Sequence, residues 1–230
     1  MIFMARQIQE KSQEKNQDLY MAFIDLTKAF DSVNHEVLWK MLARFGCPPI
    51  FIKVLRLLHN QMTATVLCNG LGTELFVIKT GVNQGCVSLF SIYLAVILVL
   101  IRDHLSNGVD IQYRMDGRLF NLQHLHSKCK VFRASITDIQ YTDDCVILVH
   151  TENDLQSILD FLAQAYQSRG LSLNIEMTKV LSQPASGLAY DLPQITIKGQ
   201  TLEIVEHFCY LSSQLSQNAK IDSEIQHRIQ

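Results

Sequence analysis

The sequence FIDLTKAFDSVNH at residues 23–35 decides the fold, because it joins an apolar strand to an amphipathic helix. Its first two residues close the apolar run LYMAFI, which is rich in strand-forming residues and is followed by Asp25. Asn34 stands where a helix N-cap is expected, directly before HEVLWKMLARF at 35–45, and Gly46 follows that helix. This stretch therefore predicts a strand, an acidic turn and a helix, in that order.

A second acidic turn separates two further apolar runs. SITDIQY at 135–141 and CVILVH at 145–150 flank the pair Asp143 and Asp144. Carboxylates that gather at strand ends, as these two and Asp25 do, repel one another unless a cation lies among them, and oxygen ligands suit Mg²⁺ or Mn²⁺. Spacing alone leaves an alternative open, a hairpin with an Asp-Asp turn and a separate capping aspartate, because Asp is a common turn residue.

The composition restricts the class of protein. With 230 residues, 48% apolar and 18% charged, the chain is neither a disordered tail nor a fibrous repeat. A net charge of −2, from 20 Lys+Arg and 22 Asp+Glu, means that any nucleic-acid function depends on a local site. The six cysteines stand singly, which argues against a zinc ribbon or a disulfide framework and favours a reducing compartment. We therefore expect an intracellular protein, in cytoplasm or nucleus, that is not secreted.

The most apolar run, VSLFSIYLAVILVLI at 87–101, predicts a buried helix. Its fifteen residues fall short of the roughly 20 that a helix needs to cross a bilayer. The N-terminal residues form neither a signal peptide nor a membrane anchor. The sequence therefore predicts no transmembrane segment and no membrane partner.

The remaining elements alternate between helices and strands. Asn69-Gly70 and Asp116-Gly117 predict two hairpin turns, and the apolar spacing over 152–169 predicts an amphipathic helix. The polar segment 5–17 predicts a helix with a solvated face. Antiparallel hairpins mixed with helices favour an α+β sheet layered with helices.

Five blocks of sequence, in order along the chain, resemble successive motifs of reverse transcriptases, and most closely those of non-LTR (LINE-type) retrotransposons. They are FIDLTKAFDSVNH (23–35), GVNQGCVSLFSIYLAVI (81–97), YTDDCVIL (141–148), GLSLNIEMTKVL (170–181) and FCYLSS (208–213). The resemblance implies an α+β polymerase palm, an antiparallel ferredoxin-like sheet with helices packed on one face and partial fingers. It implies a palm with a remnant of fingers over 1–205, and the palm end with the start of the thumb over 206–230.

The resemblance also implies a function and a metal site. The function would be RNA-directed DNA polymerase activity, in which deoxynucleoside triphosphates extend a DNA primer on an RNA template. Asp25 and Asp143 are similar to the aspartates that hold two divalent ions, Mg²⁺ or Mn²⁺, and Asp144 to the supporting carboxylate. Such ions activate the primer 3′-hydroxyl and neutralise the leaving pyrophosphate. Phe30 resembles the aromatic gate that excludes a ribose 2′-hydroxyl, and its alternative is a core aromatic.

The second and fourth blocks supply further substrate-binding candidates. Gly81, Gln84 and Gly85 resemble the loop whose glycines bring the backbone close to the template and the incoming base. This loop is shorter than in the family. The family commonly has a lysine, a candidate proton donor to pyrophosphate, where this chain has Met177. Lys179 lies two residues on, so we expect it on the same side of a strand as a substitute.

The resemblance further implies that the family's basic fingers lie upstream of Met1 and most of the thumb downstream of Gln230. On this interpretation the chain is the palm of a truncated or decayed element, and we expect it to show no primer extension alone. Two alternatives remain open. One is a non-catalytic, reverse-transcriptase-like module that binds nucleic acid or protein. The other is a different metal-dependent nucleotidyl enzyme, such as a cyclase, which predicts neither the glycine loop nor Phe30.

Overall fold

The structure is a computed structural model that describes residues 1–83, 86–102, 108–114, 131–187 and 192–229. Its helices are α1 (Ile2–Glu14), α2 (His35–Arg44), α3 (Pro49–His59), α4 (Val87–Ile101), α5 (Glu152–Gln167) and α6 (Asp222–Ile229). Its strands are β1 (Leu19–Ile24), β2 (Thr63–Ala64), β3 (Leu67–Cys68), β4 (Leu71–Gly72), β5 (Phe76–Val77), β6 (Val109–Arg114), β7 (Val131–Ile136), β8 (Asp138–Tyr141), β9 (Asp144–Val149), β10 (Lys179–Gln183), β11 (Thr196–Ile197), β12 (Gln200–Thr201), β13 (Glu203–Val205), β14 (His207–Tyr210) and β15 (Ser213–Ser216).

A five-stranded sheet with the order β13-β10-β1-β9-β8 forms the centre of the molecule. The pairs β10–β1, β1–β9 and β9–β8 are antiparallel, as the sequence predicts. The prediction of a wholly antiparallel sheet is wrong at one edge, where β13 runs parallel to β10. The reason is that the chain crosses back after β10 and enters β13 beside the first residue of β10. Glu203 therefore pairs with Lys179, and the two strands run in the same direction.

Two hairpin predictions have different outcomes. The turn at Asn69 and Gly70 is confirmed, since both residues have positive φ, 51° and 81°, and they join β3 to β4. Such a turn matches the twist of the strands that it connects. The turn predicted at 116–117 lies outside the described residues. The strand that precedes it, β6, pairs with β7.

Local signals define the ends of two helices, and of the two N-caps the one at Asn34 is predicted by the sequence. The Asn34 side chain accepts a hydrogen bond from the Val37 N–H at 3.1 Å and caps α2. The Thr151 hydroxyl accepts from the Asp154 N–H at 3.1 Å and caps α5. Gly170 follows α5 with a φ of 85°, a left-handed conformation that glycine adopts without strain.

One face of the central sheet, which we call the helical face, packs against α2, α4 and α5. Alternate strand residues point to it, among them Ala22 and Ile24 of β1 and Ile147 of β9. The predicted buried helix is confirmed as α4, whose Phe90 and Tyr93 are fully buried. Within the described ranges, no helix combines the length and the apolarity needed to span a membrane.

The opposite face, which we call the terminal face, is covered by elements from both ends of the described chain. Met21 and Leu148 of the sheet pack there with Ile8 of α1 and with Leu215 of the β14–β15 hairpin. The prediction of helices on one face only is therefore wrong for α1. The reason is that Ala5 and Ile8 of α1 are fully buried and pack against the sheet, whereas Phe3 and Met4 of the same helix are exposed. The helix also begins earlier than the predicted range 5–17.

Candidate active site

The sheet brings the carboxylates of Asp25 and Asp144 to one edge. Asp25 follows the last residue of β1, and Asp144 is the first residue of β9. Ile24 pairs with Cys145 in the antiparallel register, so the next position outward on each strand is an aspartate. Asp143 lies in the turn between β8 and β9.

A cavity of about 260 Å³ opens at this edge. Asp25 and Asp144 both line it, whereas Asp143 does not. An aromatic wall on the terminal face bounds the cavity, and the Phe23 and Phe208 rings stack there with centroids 4.0 Å apart. The other lining residues are Ile24, Cys145, Met177, Lys179, Cys209 and Tyr210.

The three aspartates interact electrostatically. Burial raises the pKa of Asp25 above its usual value, a hydrogen bond from the Asn174 side chain opposes this, and the charge of Asp143 raises it further. Burial likewise raises the pKa of Asp144, and the charges of Asp143 and Asp25 add to the effect. Like charges in a partly desolvated site favour protonation or a bound cation. The edge is therefore electrostatically suited to a positive ligand.

A local hydrogen-bond network holds the backbone of Asp25. Its N–H donates to Thr178 Oγ1 at 3.2 Å, and its carbonyl accepts from the Asn174 N–H at 3.0 Å. The Thr178 hydroxyl donates to the Asn174 carbonyl at 2.7 Å. Sequence reasoning assigned no role to Asn174 or Thr178. The available signal was their position inside the block GLSLNIEMTKVL, four residues apart.

The arrangement differs from a complete ligand set of three carboxylates. In the part of the chain that the structure describes, no three His, Cys, Asp or Glu side chains are grouped so that they could hold a metal ion. Mg²⁺, however, is commonly bound by one or two carboxylates together with water and substrate phosphates. The two cavity-lining carboxylates, Asp25 and Asp144, fit that smaller set.

Lys179 and Met177 lie on the same cavity. The ammonium group of Lys179 forms an ion pair with the Glu203 carboxylate on the neighbouring strand. Met177 is 60% exposed in the turn before β10 and brings no ionisable group. Lys179, the proposed substitute for the family lysine at the position of Met177, therefore lines the cavity, but its ammonium group is paired with the Glu203 carboxylate.

Phe30 and Gly81 lie together away from the lining of the cavity. Phe30 is half-buried, and its ring lies 4.6 Å from that of Phe90. Its carbonyl accepts from the Val82 N–H at 2.8 Å. Gly81 has a φ of 97°, and a Cβ there would lie 2.9 Å from the Asp31 Cα. The glycine is thus required by close approach to the chain's own backbone. Gln84 and Gly85 lie outside the described residues.

His35 is a contact of this loop that sequence reasoning missed. Its Nε2 lies 2.5 Å from the Gly81 carbonyl oxygen, and the Gly81 N–H donates to the Val33 carbonyl at 2.8 Å. The His35 ring also meets His59 edge-on, with centroids 5.4 Å apart. The only sequence signal was its place directly after the helix cap Asn34. Together these bonds fasten the first motif block to the second.

A largely antiparallel sheet with helices packed on it and carboxylates at one edge fits a fold of the polymerase-palm class. The family model described as "Reverse transcriptase (RNA-dependent DNA polymerase)" matches residues 2–192. The chain therefore belongs to the reverse transcriptase family.

Two curated relatives confirm the resemblance to non-LTR retrotransposons. The "Retrovirus-related Pol polyprotein from type-1 retrotransposable element R2" of Bradysia coprophila is 29% identical over an alignment of 178 residues that covers 74% of this chain. The polyprotein of the type-2 retrotransposable element R2DM of Drosophila melanogaster is 27% identical over 157 residues, or 68% of this chain. This chain spans only 17% and 13% of the length of these two relatives.

A solved structure supports the fold independently. Apo telomerase from Candida tropicalis, truncated from its C-terminal domain, superposes with a TM-score of 0.52 at 16% identity. The match covers 91% of this chain and 38% of that chain. At this identity the likeness concerns the fold alone.

Proposed function

We propose that this chain supplies the palm of an RNA-directed DNA polymerase, which adds deoxynucleotides to a DNA primer 3′-hydroxyl on an RNA template. The observation that carries the proposal is the pair Asp25 and Asp144 on one cavity at the sheet edge. Membership of the reverse transcriptase family supports the choice of reaction. Template, primer and deoxynucleoside triphosphates are the partners that this reaction requires.

The strand order supports a ferredoxin-like palm. Helices separate β1 from β8 and β9 from β10, and the order β10-β1-β9-β8 interleaves the two resulting units. We assign 1–205 to the palm with a remnant of fingers. The segment 206–230 is the end of the palm and the start of the thumb, and its β14 strand contributes Phe208 to the cavity wall.

Two divalent ions, Mg²⁺ or Mn²⁺, are the cofactors of this proposal, with Asp25, Asp143 and Asp144 as the residues that would hold them. The raised pKa values of Asp25 and Asp144 support it, because burial and like charge are relieved when a cation binds. When bound, such ions stabilise the charge that develops on the attacking and leaving oxygens of an in-line displacement. Asn174 and Thr178 orient the Asp25 backbone for this task.

The remaining candidates have roles toward the substrate. Lys179 Nζ, held by Glu203 beside the cavity, would supply a proton to the leaving pyrophosphate. Phe30 would discriminate against the ribose 2′-hydroxyl. Gly81, Gln84 and Gly85 would shape the loop near the template and the incoming base.

A reducing location, cytoplasm or nucleus, completes the proposal. The cysteines that the structure describes are free, which is consistent with such a compartment: Cys47, Cys68, Cys86, Cys145 and Cys209.

The test is the thermal stability of the parent protein, Asp144→Asn and the control Asp160→Asn, each with and without Mg²⁺ or Mn²⁺. Asp160 is an exposed carboxylate on α5 that has no part in the site. Metal should raise the Tm of the parent and of Asp160→Asn by mass action, and should not raise the Tm of Asp144→Asn.

The same variants give a second readout without metal. Because the pKa of Asp144 is raised above 3.8, its ionisation costs stability as the pH rises above 3.8, the cost is complete once the pH exceeds the raised pKa, and it is absent in acid. Asp144→Asn should therefore be more stable than the parent at neutral pH, and the difference should disappear below pH 3.8. An equal metal response in all three proteins would contradict the proposed site. Absence of any response in the parent would favour the non-catalytic module.

A further inference from the structure

A second concave surface lies between α2 and α3. It encloses about 480 Å³ and shares no lining residue with the aspartate cavity. Its floor is apolar and its rim carries cations. We call it the α2–α3 groove; its lining residues are Trp39, Lys40, Ala43, Cys47, Pro49, Ile52, Lys53 and Arg56.

The charged side chains that line the groove all have the same sign. The segment 37–73 contains no Asp or Glu, although the whole chain carries a net charge of −2. The lysines and arginines of that segment are Lys40, Arg44, Lys53 and Arg56. Among the ion pairs that the described residues form, none involves these four side chains. The groove is therefore a local basic site whose four cations form no ion pair with the residues that the structure describes, although Glu36 lies one turn before Lys40 on α2.

One of these cations is held in place. The Arg56 guanidinium lies over the Trp39 ring, 5.9 Å from its centroid. Trp39 is only 4% exposed, and its ring meets His59 edge-on at 5.5 Å, so the platform is fixed by packing. A guanidinium positioned in advance loses less conformational freedom when it binds an anion.

We propose that the α2–α3 groove binds a single-stranded polynucleotide. Phosphates would contact Lys40, Lys53 and Arg56 on the rim, and unpaired bases would cover the apolar floor at Ala43 and Ile52. Single-strand sites combine a positively charged groove that follows the backbone with side chains that contact the bases; these are usually aromatic, and here Ala43 and Ile52 would make that contact. A duplex keeps its bases stacked inside and offers nothing to that floor. This inference extends the proposed function by a strand-binding surface outside the metal cavity.

The experiment measures fluorescence anisotropy of a labelled single-stranded oligo(U) RNA over a series of salt concentrations. The groove variant is Lys40→Gln/Lys53→Gln/Arg56→Gln. The control, Lys15→Gln/Lys198→Gln/Lys220→Gln, removes the same charge from exposed lysines elsewhere. For single strands the slope of log K against log salt changes by about 0.7 per phosphate contact, so the groove variant should lose about 2 from the slope. The control should keep the slope of the parent.

Two further arms separate the alternatives. Ala43→Gln narrows the groove without changing its charge and should weaken binding at constant salt slope. The groove variant should keep the Mg²⁺-dependent rise in Tm of the parent, because the two cavities share no lining residue, so failure of the metal site and failure of the groove give different results. Equal losses in both triple variants would overturn the proposal. Equal competition by duplex RNA or by poly(Glu) would also overturn it.

Discussion

The two faces of the central sheet are covered in different ways. The helical face packs against three helices, and its contacts are made by apolar side chains such as Leu162 and Tyr166 of α5. The terminal face is covered by α1 and by the β14–β15 hairpin, and polar groups are buried there. Gln9 of α1 donates to the Ser216 carbonyl at 2.9 Å, and Gln183 of β10 donates to the Gln9 carbonyl at 3.0 Å.

Because of this difference, apolar stabilisation and the candidate active site lie on different faces of the sheet. Apolar burial on the helical face supplies a driving force that depends little on pH. The candidate active site is bounded by the terminal face, through Phe23, Phe208 and Tyr210. The wall of the site is thus built from elements joined by buried hydrogen bonds as well as by apolar packing. We expect substitutions on the terminal face to change the site more readily than they unfold the protein.

The largest expected effect is on the helical face. Leu162→Ala removes a fully buried side chain of α5 and should lower the free energy of unfolding by about 2–5 kcal/mol. Ile8→Ala, its counterpart on the terminal face, is also fully buried but should cost less, because Ile2 and Ile8 are the only large side chains of α1 that pack in that core, so α1 can shift to fill the space. Urea unfolding of both variants measures the difference. A greater loss of unfolding free energy for Ile8→Ala than for Leu162→Ala would contradict the proposed difference between the two faces.

The next effect concerns the loop that leads into α4. Gly81→Ala should cost about 1–3 kcal/mol, because the new Cβ meets the Asp31 backbone and φ is positive. Gly46→Ala is the matched control, with a φ of 88° and nothing within 4 Å of the Cβ position. The difference between the two variants in urea unfolding isolates the steric contact. Equal losses of unfolding free energy in the two variants would mean that the close contact with Asp31 does not affect stability.

A smaller effect is expected at the aromatic wall. Phe208→Leu removes the ring stacked 4.0 Å from Phe23 and should lower the free energy of unfolding by about 0.5–1.5 kcal/mol. The Mg²⁺-dependent rise in Tm should change as well, because Phe208 lines the cavity of Asp25 and Asp144. Phe161→Leu, an exposed aromatic on α5, is the control. If the Mg²⁺-dependent rise in Tm were unaltered in Phe208→Leu, the aromatic wall would have no influence on metal binding.

The smallest effect is a pH dependence on the terminal face. The Gln214 N–H and the Arg228 guanidinium, both 2.5 Å from the Glu224 carboxylate, help to lower the pKa of Glu224 from 4.5 to about 2. This carboxylate therefore stabilises the fold above pH 4.5, and the contribution is lost as the pH falls toward 2. Glu224→Gln should be less stable than the parent at neutral pH, with the gap closing in acid. A gap that is constant with pH would contradict the assignment.

Much of the helical face could be predicted from sequence, because its signals are local. The apolar run at 87–101 is α4 with the predicted bounds, and Asn34 caps α2. The terminal face could not be predicted in the same way. Only two large apolar side chains of α1, Ile2 and Ile8, pack in its core, so the pattern favoured a solvated helix. Contacts between distant segments decided where that helix lies.

The candidate site likewise contains residues that could be predicted from the sequence and residues that could not. The positions of Asp25 and Asp144 at strand ends followed from the alternation of apolar runs, and the register brings them to one edge. Asn174, Thr178 and His35 act through backbone atoms of other segments, at 3.2 Å or less. Such contacts leave no periodic pattern in the sequence, so only the structure identifies them.

The two cysteines on the wall of the aspartate cavity differ in chemical reactivity. Burial raises the pKa of the Cys145 thiol to about 12, so it presents almost no thiolate at neutral pH. Cys209, on the same wall, is exposed. An alkylating reagent should thus mark the cavity at Cys209 and leave Cys145 intact. The rate of that labelling offers a direct reporter of cavity occupancy, and storage under air would slowly alter the same wall by oxidation.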